Sequence, residues 1–171
     1  GLMLRSGNDA AVAIAEYISG DVDSFAALMN QEAAAMGATR SHFVNPNGLP
    51  DENHYTCVYD MYLIFSNAIK NDTFVSIIGT TSYDVTYTDA SGEAVTHTWE
   101  NTNQYLTGNA TTPDGFQIVG GKTGTTGEAG YCLVLYSYNP SGQPIISIVF
   151  KADGKSNLYL LMNEMLQGFA I

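Results

Sequence analysis

Apolar positions recur at helical spacing up to residue 78 and at a spacing of two beyond it, dividing the chain into a helical part and a sheet part. The run Asp9-Ala10-Ala11-Val12-Ala13-Ile14-Ala15-Glu16-Tyr17-Ile18 is rich in helix formers, and Gly20 ends it. Residues 21–36 repeat the pattern, with Phe25, Leu28, Met29 and Met36 on one face and Gly37 suited to the position after the helix, so an αα pair is expected. Asn45-Pro46-Asn47-Gly48-Leu49-Pro50 clusters turn formers and reads as a loop. Helix resumes over 57–69, with Thr56 as its predicted N-cap and Met61, Ile64, Phe65 and Ala68 at helical spacing. Asp72 is the predicted cap of a short helix through Ile78.

From Thr80 onward, Tyr83, Val85 and Tyr87 alternate with Ser82, Asp84, Thr86 and Thr88. The turn Asp89-Ala90-Ser91-Gly92 then leads into a second run, 93–99, so the segment reads as a β-hairpin. A polar stretch, 101–115, precedes predicted strands at 116–123, 130–138 and 145–151, the last two joined by Asn139-Pro140-Ser141-Gly142 and therefore adjacent and antiparallel. Ser156 is the predicted cap of a final helix through Gln167, whose Leu158, Leu161, Met162 and Met165 form a stripe for packing on the sheet. The layout is α+β.

With 45% hydrophobic and 13% charged residues, the 171-residue chain has the composition of a globular protein. Its net charge of −11 repels phosphate backbones and anionic lipid surfaces, so nucleic acid is not an expected partner. No apolar run approaches the roughly 18 residues that cross a bilayer. Cys57 and Cys132 define no disulfide framework, and their settings in a helix and a strand predict two separate core thiols.

Two short polar motifs carry the chemistry: Ser6-Gly7-Asn8 and Lys122-Thr123-Gly124. Each alone is weak, because the first doubles as a helix cap and the second as a turn at a strand's edge. Around the second, Val119-Gly120-Gly121-Lys122-Thr123-Gly124-Thr125-Thr126-Gly127 sets a cation and hydroxyls among glycines beside strands. A peptide can lie along such an edge through main-chain hydrogen bonds while Lys122 and the threonine hydroxyls meet a terminal carboxylate. Together with Ser-x-x-Lys, such motifs mark serine acyl-transferases that act on D-alanyl peptides and β-lactams. Ser-x-x-Lys is missing: three residues before Lys70, Lys122, Lys151 and Lys155 stand Asn67, Val119, Ile148 and Ala152.

Further segments extend the pattern in order: His42-Phe43-Val44-Asn45-Pro46-Asn47-Gly48-Leu49, Asp60-Met61, Asn101-Thr102-Asn103 and Glu128-Ala129-Gly130-Tyr131. With them the whole chain resembles the serine-type D-alanyl-D-alanine carboxypeptidases, the low-molecular-mass penicillin-binding proteins of the β-lactamase/transpeptidase-like family. The resemblance implies one partial transpeptidase-like domain over 1–171, helical over 1–78 and an antiparallel sheet with a packed C-terminal helix over 79–171. It implies removal of the terminal D-Ala from peptidoglycan stem peptides through an acyl-enzyme, inhibition by β-lactams, no cofactor and no metal, and an extracellular or envelope location.

By the same resemblance the catalytic residues are Ser6 as proton relay, Asn8 as hydrogen-bond partner of the peptide amide or of the absent lysine, and Lys122 as the source of positive potential. Thr123 donates to the substrate carboxylate, Gly124 leaves room for its backbone, and the Thr125 N–H forms half of an oxyanion hole. The nucleophile belongs to a preceding region, so the fragment alone is expected to be inactive and, with apolar surface exposed, to self-associate. A non-catalytic peptidoglycan-recognition or regulatory module is the second reading. A β-lactamase fits less well across the Asn-Thr-Asn and Glu-Ala-Gly-Tyr segments. Pairing of Cys57 with His42, His54 or His97, or a His54-Cys57 metal site, lacks an oxyanion signature and a second ligand pair. Asp114 and Glu128 receive no role, and the strand tyrosines read as packing residues.

Overall fold

The computed structural model describes residues 1–168; Phe169, Ala170 and Ile171, the end of the expected sheet-and-helix portion, lie outside the described residues. Helices α1 (Leu2–Arg5), α2 (Asn8–Ser19), α3 (Val22–Ala35), α4 (Val58–Ala68) and α5 (Asp72–Ile78) come first. Strands β1 (Ser82–Thr88), β2 (Ala94–Glu100), β3 (Gln117–Thr126), β4 (Gly130–Tyr138) and β5 (Pro144–Ala152) follow, and α6 (Lys155–Gln167) closes the order. The expected α+β class is observed, with the strands divided between a β1-β2 hairpin and an antiparallel sheet in the order β3-β4-β5.

Helix starts differ from the expected ones by one or two residues, and each difference has a local cause. Cys57, not Thr56, occupies the N-cap of α4, because the Thr56 hydroxyl bonds Ser41 Oγ at 2.8 Å. Asn71, not Asp72, caps α5 by accepting from the Phe74 N–H. Gly154 rather than Ser156 occupies the N-cap of α6, without a side-chain bond. The expected glycine stops are in place, with Gly20 at φ 86° and Gly37 at φ 83°.

Strand β4 is central in its sheet, and its side chains alternate between two apolar layers. Leu133 and Leu135 face a core with Tyr105, Phe116, Leu158, Tyr159, Met162 and Leu166, so α6 covers that side. Val134 joins Phe65 and Ile78 on the other side, with Met61, Phe74, Ile146 and Ile148 packed around them. On α6 the buried stripe is Leu158, Tyr159, Met162 and Leu166, whereas Leu161, expected to pack, is 38% exposed. Cys57 and Cys132 are unpaired, as expected, but only partly buried rather than core.

The connection between α3 and α4 is pinned by Asp60, which is 1% exposed and accepts from the Arg40 N–H at 2.7 Å and the Ser41 hydroxyl at 2.8 Å. Burial pushes its pKa up, but the hydrogen bonds from Ser41, Arg40 and Cys57 outweigh it and hold the carboxyl below its ordinary value.

Strand β3 carries the geometry that matters most. A register shift between Ile118 and Gly120 leaves Val119 as an extra residue, a bulge that re-aims the strand's second half. Here α5 closes onto the backbone: a Cβ on Gly120 would stand 2.5 Å from Ile78 O, and one on Gly121 would collide with the Val134 carbonyl. From Gly124 onward the strand is open, the nearest atom to an added Cβ there being Cys132 Cβ at 4.0 Å. Gly121→Ala is therefore expected to cost about 1–3 kcal/mol as a lowered urea midpoint. Gly124→Ala, by contrast, should stay within about 0.5 kcal/mol in the same measurement.

Candidate active site

Helix α1 is a single turn whose C-cap, Ser6, adopts the left-handed conformation at φ 54° and ψ 41°. A side chain in that region costs roughly 1–2 kcal/mol, and the surrounding contacts hold it there. The Gly1 carbonyl accepts from both the Arg5 and Gly7 N–H groups, clamping the turn on either side of Ser6. Gly7 then serves as N-cap of α2. The Trp99 ring lies against Gly1 and ties this corner to β2.

Across the site, Lys122 Nζ donates to Ser6 Oγ and to Thr123 O, the latter at 2.7 Å. Both acceptors are neutral. Removal from water pulls the Lys122 pKa down from 10.5 to about 8. At neutral pH the group is still mainly an ammonium, yet one that loses its proton far more readily than a surface lysine.

The hydroxyl of Thr123 meets that of Thr102 at 2.6 Å. Thr102 also donates its N–H to Leu4 O at 3.2 Å, two residues before Ser6, so one residue touches both halves of the site. Its neighbours are anchored in turn. Asn101 is 6% exposed and donates to Thr80 O at 2.9 Å, while Asn103 is fully buried and accepts from the Tyr105 N–H. The Gln104 N–H donates to Tyr159 OH at 2.8 Å, and Tyr105 OH donates to Asn163 Oδ1 at 2.6 Å, binding the segment to α6.

Of the residues singled out in the sequence, Ser6, Lys122 and Thr123 thus come together. Asn8 lies exposed in the first turn of α2, two residues from Ser6, and its side chain makes no hydrogen bond among the described residues. Gly124 and Thr125 are exposed in the open half of β3, opposite Cys132 and Tyr131. Sequence reasoning quoted Asn101-Thr102-Asn103 but gave it no role; the available signal was two asparagines flanking a threonine in an otherwise unstructured stretch.

The rival thiol–imidazole arrangement finds no geometry. His42 Nδ1 bonds Asn53 O, His54 Nδ1 accepts from the Val44 N–H, and His97 stacks on Tyr87 with ring centres 5.7 Å apart. Burial holds the His54 pKa below its ordinary value. Among the described residues, no three His, Cys, Asp or Glu side chains are grouped to hold a metal ion.

Known proteins resemble this chain in sequence and in fold. D-alanyl-D-alanine carboxypeptidase DacF of Bacillus subtilis is 35% identical over 167 residues, covering 97% of this chain and 40% of the relative. The D-alanyl-D-alanine carboxypeptidase of Streptomyces sp. (strain K15) is 34% identical over 182 residues, covering 100% of this chain and 59% of the relative. A mutant of the Streptomyces K15 DD-transpeptidase superposes with a TM-score of 0.89 at 31% identity, over all of this chain and 66% of that one. The chain thus spans about half the length of the curated relatives it matches. The sequence profile of the family described as D-alanyl-D-alanine carboxypeptidase, peptidase S11, matches residues 1–154, and the chain belongs to that family.

Proposed function

We propose that this chain supplies the second and third elements of a serine D-alanyl-D-alanine carboxypeptidase centre, and that the nucleophile comes from sequence outside the 171 residues. The observation that carries this reading is the hydrogen bond from half-buried Lys122 to Ser6 Oγ, which joins two motifs separated by 116 positions. Residues 1–171 form one partial transpeptidase-like domain, with 1–78 as its helical portion and 79–171 as sheet and final helix. The substrate is a peptidoglycan stem peptide ending in D-Ala-D-Ala, β-lactams are inhibitors, and the enzyme acts outside the cell or at its envelope.

In the reaction, a serine oxygen attacks the penultimate carbonyl, the C–N bond breaks, and the departing D-Ala amine takes up a proton. Water then cleaves the resulting ester. Ser6, held by Lys122, passes the proton, a general acid–base role that needs the two groups within hydrogen-bond reach of each other. Lys122 and Thr123 meet the substrate carboxylate, and Gly124, whose side-chain space is open, lets the peptide backbone approach β3. The Thr125 N–H stabilises the developing oxyanion, and Asn8 orients the peptide amide.

Intact-mass measurement after incubation with a fluorescent penicillin tests the assignment. Labelling of the full-length gene product but not of the isolated 171-residue chain is the expected result. Labelling of the isolated chain overturns the external nucleophile, and labelling of neither points to a recognition module without catalysis. Size-exclusion chromatography on the same sample checks the self-association expected of the isolated piece, which carries partly covered Ile146, Ile148 and Phe150 on β5.

The lowered Lys122 pKa gives a second expectation. Because the ammonium is the form that attracts a carboxylate, acylation of the full-length product should fall as pH rises through about 8, rather than near the 10.5 of an ordinary lysine. Lys122→Arg, charged at all accessible pH, should move that alkaline limb beyond pH ~10 even where the absolute rate drops. A limb unmoved by the substitution would assign it to another group.

A further inference from the structure

The pair of hydroxyls at 2.6 Å poses a question of proton bookkeeping. A threonine hydroxyl has one proton and two lone pairs, so within the pair one oxygen donates and the other accepts. If Thr123 donates to Thr102, it turns lone pairs toward the ligand and repels a carboxylate. If Thr102 donates, the Thr123 proton is free to point outward. We infer that Thr102 is a positioning residue, which donates its hydroxyl proton to Thr123 Oγ1 and so aims the Thr123 hydroxyl at the carboxylate of the ligand; this rests on the reading of Lys122-Thr123-Gly124 as the carboxylate-binding strand.

Three features bear on that direction. Thr102 Oγ1 and Thr123 Oγ1 are each other's only side-chain hydrogen-bond partners among the described residues, so within the protein nothing else competes for either proton and the ligand decides which of them donates. Second, the Thr102 backbone is fixed by the bond to Leu4 O and by buried neighbours on both sides, Asn101 and Asn103. The oxygen is therefore presented in one place rather than sampled. Third, an O–H···O–H···carboxylate chain is polarised along its length, and the charge at its end strengthens both bonds. An anionic ligand thus selects the donor state of Thr102, whereas an uncharged ligand leaves the pair indifferent.

Thr102 also touches the turn that carries Ser6, through Leu4 O. A merely structural role would consequently affect every ligand alike, and a role in aiming Thr123 would affect only ligands with a carboxylate. That difference makes the two separable.

The measurement is the second-order acylation rate of the full-length gene product by benzylpenicillin and by its methyl ester, read as the ratio of acid to ester. A hydrogen bond to a charged group contributes about 1.5–3 kcal/mol, so Thr102→Val should lower the ratio about 10- to 150-fold. Thr102→Ser, which keeps the hydroxyl, should restore it to within about threefold, and Thr102→Ala supplies a second reading where the valine variant folds poorly. Thr123→Val should lower the ratio by a similar factor, with little further loss in the double variant, as expected of two groups acting as one unit. A ratio unchanged by Thr102→Val or Thr102→Ala, with Thr123→Val still lowering it, overturns the role of Thr102 and leaves the carboxylate-binding strand standing. A ratio unchanged in Thr123→Val overturns both.

Discussion

Lys122 carries its charge into a half-buried position where its hydrogen-bond partners are neutral oxygens, and much of the site's construction follows from accommodating it. The drop in its pKa from 10.5 to about 8 corresponds to about 3 kcal/mol of disfavoured charge. A solvent-facing lysine would escape that cost by swinging out. Here the ammonium is held because Ser6 Oγ and Thr123 O accept two of its N–H hydrogen bonds, and because β3 is seated against α5 through Gly79 and Gly120, where backbone meets backbone. The left-handed Ser6 is the counterpart on the other side. Its strain is sustained by the Gly1 carbonyl, which clamps the turn, and by Trp99 packed over that turn.

The segment from Asn101 to Phe116 has no regular structure, yet it connects several elements. It reaches the base of the hairpin through Thr80 and Thr81, α1 through Leu4, β3 through Thr123, and α6 through Tyr159 and Asn163. Tyr105 is buried against Tyr159 at 5.0 Å between ring centres, and that burial pushes its phenol pKa up. A loop tied down at so many points is held in place, and that is what a group aiming another group requires.

Much of this was legible in the sequence wherever a local rule governs. The hairpin follows from alternation and its Asp89–Gly92 turn, and β4 matches its predicted limits because residues buried on both faces read as an unbroken apolar run. Ser6, Lys122 and Thr123 were recognisable as motif residues, and they meet. The errors fall where two neighbouring residues both suit a role and only a tertiary contact decides. Thr56 lost the cap of α4 because Ser41 claimed its hydroxyl, and Asn71 reached the Phe74 N–H that Asp72 was expected to cap. Thr102 was quoted without a role for a stronger reason: the hydroxyl it meets lies 21 residues away, and no periodicity or composition encodes that distance.

On the proposed reading, a chain with a net charge of −11 receives an anionic peptide end against its own long-range field. At physiological ionic strength, however, charges beyond about 8 Å are largely screened, whereas a half-buried ammonium is screened much less. A desolvated Lys122 therefore sets the local potential more strongly than many distant carboxylates do. On the same reading, the desolvation that makes the lysine expensive to hold also makes it effective toward an anionic ligand, because a carboxylate beside it supplies the counter-charge that the folded chain withholds.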